Sequence, residues 1–125
     1  MKTATKDAAD ARALFFDETT PEATLEAYLP RFAADAQIGL NLRDFNANLP
    51  SNAANAGRAS WLGSAPPLQV LGAGRDAVVD REGVEETASF LGTNAEFFET
   101  LPHDVMLCDG WETPADRVIA FAKGL

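Results

Sequence analysis

Two hydrophobic periods divide the chain. Up to about residue 60 the apolar positions recur at helical spacing. After Pro66-Pro67 they gather into short apolar runs, each leading toward an amphipathic stretch, which is the pattern of strands alternating with helices. "DAADARAL", residues 7–14, is Ala-rich and helix-favouring, with Asp7 placed to cap it. A break follows at "FFDETTPEA". Thr20 before Pro21 reads as an N-cap with proline at the first helical position, and Leu25, Tyr28 and Leu29 form one face of the next helix. Pro30 and Phe32 are expected to bend or end it. A third helical stretch, "ADAQIGLNLRDFNAN", carries Ile38, Leu42 and Phe45 on a common stripe weakened by Gly39 and three Asn residues. Residues 46–66, rich in Asn, Ala, Ser, Gly and Pro, read as a loop or frayed helix.

The second half predicts a β-α-β-α unit. "LQVLGAG" suits a buried strand, "DREGVEETASFLG" a helix capped by Asp80 and closed by Gly92, and "AEFFETLP" a second strand. "WETPADRVIAFAKGL" is a terminal helix with Val118, Ile119 and Phe121 on its buried face. The fold class is thus α/β with two parallel strands, in one domain over residues 1–125: helices over 1–60, then the β-α-β-α unit over 61–125. Two parallel strands are too few to satisfy their own edges, so the sheet reads as part of a larger one, with the strand at 68–73 open to a partner.

Composition narrows the partners. The chain has 125 residues and a formal charge of −9, ten basic against nineteen acidic side chains. That balance opposes a phosphate backbone and excludes nucleic acid as the expected partner. No run approaches the ~20 apolar residues of a membrane span, and the N-terminus shows no secretory signal. The expected location is therefore the cytoplasm or an organelle interior. Cys108 is the single cysteine and His103 the single histidine. One imidazole and one thiol are too few for a zinc site, and no cofactor is expected. Cys108 paired with His103 as a nucleophile is weaker than its reading as a packing residue.

Gly72-Ala73-Gly74-Arg75-Asp76-Ala77 after an apolar run has the outline of a dinucleotide-binding loop, with Glu96 and Glu99 near the position of a ribose ligand. Against that reading, the best helix start is at Asp80, six residues past Gly74, where its amides cannot reach a phosphate on the glycines. The competing reading uses the loops. Asp76 follows the first strand and His103 the second, so two adjacent parallel strands end at one sheet edge in a carboxylate and an imidazole. Such a pair orients the ring and leaves its second nitrogen as a general base.

These residues resemble a known family. "PLQVLGAGRDAVVDREGVEETASFLG" and "AEFFETLPHDVMLCDGWETPADRVIAFAKGL" are similar to the C-terminal end of the α/β-hydrolase superfamily, in particular its small esterase and lysophospholipase-like members. "DARALFFDETTPEATLEAYLPRFAADA" resembles the helical cap such enzymes insert before their last strands. The resemblance implies a partial α/β-hydrolase fold, with Asp76 as the triad acid, His103 as the triad base, and esters or lysolipids as substrates. The family's nucleophile sits in a G-x-S-x-G turn upstream of the cap. Ser51, Ser60, Ser64 and Ser89 all lack the flanking glycines. The chain alone is therefore expected to be inactive, and to need a nucleophile-bearing chain for ester or lysolipid hydrolysis. The alternatives are a non-catalytic interaction subunit, that is, a pseudoenzyme retaining half the fold, a truncated hydrolase whose locus continues upstream, and, further out, the dinucleotide-binding module.

Overall fold

A computed structural model describes residues 7–35, 41–49, 52 and 62–125. Its elements run α1 (Ala8–Phe15), α2 (Glu22–Asp35), α3 (Leu42–Asn48), β1 (Val70–Ala73), α4 (Arg81–Leu91), β2 (Ala95–Phe98) and α5 (Glu112–Lys123). Among the described residues the protein is thus a mixed α/β chain of five helices and one parallel two-stranded sheet. Val70 pairs with Ala95 and Ala73 with Phe98.

The helix punctuation follows the sequence closely. The Asp7 carboxylate accepts the amides of Ala9 and Asp10 at the start of α1. Asp80 accepts the Gly83 amide at the start of α4. Gly92 closes α4 in the left-handed region at φ 70°, where a side chain would be strained. Val84 and Ala88 on the inner face of α4 join Val70 in the core, with Leu91, Ala95 and Phe97 packed against them.

Three expectations require correction. α2 begins one residue past the Pro21 expected to open it, and it does not end at Pro30 but continues to Asp35. The lost amide is offset by aromatic packing of the turn beyond it. Phe32 lies 5.4 Å from Phe15, 6.1 Å from Phe16 and 6.2 Å from Tyr28, ring centre to ring centre. The terminal helix does not bury Val118 and Ile119: each is 49% exposed, and Pro114 is its buried residue. A sheet of two four-residue strands offers little surface, and α4 covers it. α5 is tied to β2 by an Arg117–Glu96 ion pair.

The third correction is to the α3 stripe, which gathers no core: Leu42 is 69% and Phe45 53% exposed. Ile38 and most of the loop expected over 46–66 lie outside the described residues.

The glycines of "LGAG" are explained by close approach and not by turning: neither Gly72 nor Gly74 has positive φ. A Cβ on Gly72 would lie 2.7 Å from the Phe97 ring, whereas one on Gly74 would lie 2.5 Å from the Glu99 Cα. A ring can swing aside and a paired backbone cannot. Gly74→Ala is therefore expected to destabilise by about 1–3 kcal/mol, the usual cost of overpacking. Gly72→Ala should fall nearer the lower end, and urea denaturation of both variants ranks them.

Candidate active site

The two loops leaving the sheet are laced together before they reach the candidate residues. The Gly74 amide donates to the Phe98 carbonyl at 2.9 Å and the Arg75 amide to the Leu101 carbonyl at 3.0 Å. Asp76 and His103 are thereby delivered to the same edge. His103 Nδ1 lies 2.9 Å from both carboxylate oxygens of Asp76. The ring is 28% exposed and the carboxylate 9%.

Asp76 is prepared for its charge. Its Oδ1 accepts the amides of Val78 and Val79, each at 2.8 Å. Burial alone would push its carboxyl upward, but the hydrogen bonds from Val79, His103 and Val78 and the attraction of His103 outweigh it, and the pKa is lowered. An ionised carboxylate only accepts, so His103 Nδ1 must carry the proton. In the neutral ring Nε2 then holds a lone pair, and it has no hydrogen-bond partner among the described residues. The arrangement is that of an oriented general base.

A cavity of 240 Å³ adjoins the pair. Beyond Asp76 and His103 its walls are apolar: Leu71, Val79, Val84, Phe98 and Val105 with the backbone of β1. Among the described residues no serine, threonine or cysteine lines it. Two larger clefts, of 680 and 490 Å³, share Asp17 and Arg75 and touch neither Asp76 nor His103. The smaller cavity is the candidate site because only there do a perturbed carboxylate and an imidazole converge.

The loop amides speak against a phosphate cradle. Those of Val78 and Val79 are taken by Asp76 and that of Gly83 by Asp80, so carboxylates occupy the donors an anion would use. Among the described residues no group of three or more His, Cys, Asp or Glu side chains is arranged to hold a metal ion. Cys108 is buried at 3% exposure, and burial pushes its thiol pKa upward, which disfavours the thiolate a nucleophile requires.

Sequence reasoning missed Asp104 and the anchors on α1. Burial raises the Asp104 pKa, His103 partly opposes the rise and Asp76 adds to it. A carboxyl raised in the folded state favours folding below its unfolded pKa and loses that contribution as pH rises through the folded pKa. Asp104→Asn is therefore expected to raise the melting temperature at pH 7. The gain should vanish as pH falls below the ordinary value of 3.8, which thermal denaturation at both pH values checks. On α1, Arg12 donates to the carbonyls of Asp17 and Thr20 and pairs with Glu22. Asp17 reaches Arg75 at 3.6 Å. The Asp104 amide donates to the Phe15 carbonyl at 2.9 Å. The Asp17–Arg75 and Phe15–Asp104 contacts join residues far apart in sequence and have no short-range signature.

The fold and site together define an α/β unit carrying an acid–base pair at the carboxyl ends of adjacent parallel strands. No protein-family model matches the chain, and no curated protein or solved structure is significantly similar to it.

Proposed function

We propose that this chain supplies the acid, Asp76, and the base, His103, of a Ser-His-Asp triad for hydrolysis of carboxylic esters or lysolipids, with the nucleophile coming from a partner chain. The observation that carries this reading is the two-point contact of His103 Nδ1 with an ionised, amide-braced Asp76, beside an apolar cavity. In the proposed step, a serine hydroxyl gives its proton to Nε2 as its oxygen attacks the ester carbonyl. The imidazolium then returns that proton to the departing alcohol, and Asp76 stays ionised throughout. A pair without nucleophile and oxyanion donors cannot form an acyl-enzyme, so the isolated chain is inactive.

The outer edge of β1 offers a place for the partner. Among the described residues it pairs with no other strand, and it leads directly to the loop of Asp76. The test is hydrolysis of nitrophenyl esters of short and long acids by material co-purified with the tagged chain. Activity that requires both components supports the proposal, and an inert, stable assembly contradicts it.

One observation favours a non-catalytic docking subunit as the second reading. Met106, Trp111, Val118 and Ile119 are 62%, 49%, 49% and 49% exposed, which suits a protein-binding face. A stoichiometric complex unaffected by His103→Ala in assembly and activity would favour it.

A further inference from the structure

Helix α1 meets the candidate base twice. The Phe15 ring lies 5.9 Å from the imidazole, centre to centre, tilted by 39°. Its carbonyl takes the amide of Asp104, the residue after His103. The first contact addresses the side chain and the second the backbone that carries it.

Asp76 by itself leaves His103 a degree of freedom. It grips the imidazole along one edge, at Nδ1, and the ring torsion of histidine is intrinsically broad. A hydrogen bond at one edge permits the plane to rock, and rocking changes where Nε2 points. An aromatic ring against the imidazole restricts that motion through contact area and a defined tilt.

Phe15 is itself well held. It packs on Phe32, which also touches Phe16 and Tyr28. The turn after α1 is closed by Arg12 through the Asp17 and Thr20 carbonyls, and Asp17 extends to Arg75 in the loop of the acid. The α1–α2 hairpin is therefore fastened to both loops that carry the candidate pair, in the manner of a clamp.

We propose that Phe15 is a positioning residue for His103: its ring holds the imidazole plane so that Nδ1 meets Asp76 and Nε2 stands in a single direction. Its service to a reaction rests on the acid–base reading above, whereas the positioning belongs to the chain alone. The role requires an aromatic ring at position 15, for which aliphatic bulk substitutes only in part, since the carbonyl anchor is present with any side chain.

His103 is the only histidine, so its imidazole resonances in nuclear magnetic resonance spectra of the ¹⁵N-labelled chain are unambiguous. The wild type should show a slowly exchanging, downfield Nδ1–H, and the ¹⁵N shifts of its neutral ring should report the Nδ1–H tautomer. Phe15→Ala should lose the Nδ1–H signal to exchange and move the ring ¹⁵N shifts toward a mixture of tautomers. Phe15→Leu should partly restore both. Tyr28→Ala removes a ring of the same cluster that has no ring contact with His103 among the described residues, and it should leave the wild-type signature intact.

An unchanged signature in Phe15→Ala overturns the proposal, as do equal changes in Phe15→Ala and Tyr28→Ala. If Phe15→Ala does not fold, Phe15→Leu decides: a disturbed imidazole supports positioning and an undisturbed one overturns it. No partner or ester is present in these samples, so failure here is distinct from failure of the hydrolase reading.

Discussion

Replacing Asp76 with Asn is expected to lower ester hydrolysis by the completed assembly on the order of 10⁴-fold while leaving the fold in place, the effect of the same change in a Ser-His-Asp triad. An amide can turn its NH₂ group toward His103 Nδ1, which then accepts instead of donating. The proton moves to Nε2, and the nitrogen that should take the serine proton is blocked. The Oδ1 acceptor that receives the Val78 and Val79 amides survives in Asn, so the loop should hold its shape. The kinetic loss should thus appear without a matching loss of structure, with the ring nitrogens shifted to the opposite tautomer.

The same substitution has a pH signature. The Asp76 pKa is lowered in the folded state, so its contribution to stability is present above the unfolded value near 3.8 and disappears as pH falls through the lower, folded value. The wild type should therefore lose stability on that acid limb, whereas Asp76→Asn should show a flatter one. Thermal denaturation from neutral pH to about pH 2 separates the two profiles.

Leu25→Ala is expected to cost about 2–5 kcal/mol, the range for truncating a buried leucine. Leu25 is 1% exposed on α2, one of the largest fully buried side chains in the described structure. A small domain has only about 5–15 kcal/mol of stability in total, so this change should bring the protein close to unfolding. Its consequence reaches the site because the α1–α2 hairpin carries Phe15 and Asp17. Guanidinium denaturation should show a lower midpoint with unchanged slope, and the His103 signature should weaken in step with the loss of the hairpin.

What could be read beforehand depended on short-range chemistry. The Asp7 and Asp80 caps, the Gly92 terminus and the two strands flanking α4 are decided within a few residues, and sequence patterning suffices for them. The meeting of Asp76 and His103 could be foreseen because adjacent parallel strands must release their loops at one edge. The helix does not end at Pro30, because aromatic contacts with the preceding helix outweigh a local breaker. Gly72 and Gly74 had the outline of a phosphate loop, whereas their reason is the proximity of Phe97 and Glu99, which becomes visible only once β2 lies beside β1. The pattern of α5 was amphipathic, but amphipathicity does not state how much surface is available to receive a helix. Phe15 acts through partners brought near by the fold, and nothing in its neighbouring residues announces it.

We propose that His103, held by Asp76, activates a serine on another chain. The most direct test treats the co-purified assembly with a fluorophosphonate probe, which reacts with an activated serine. Labelling of a partner serine is expected with the wild-type chain and its loss with His103→Ala, the assembly remaining intact. Labelling undiminished by His103→Ala, or an assembled complex with no labelled serine, would contradict it.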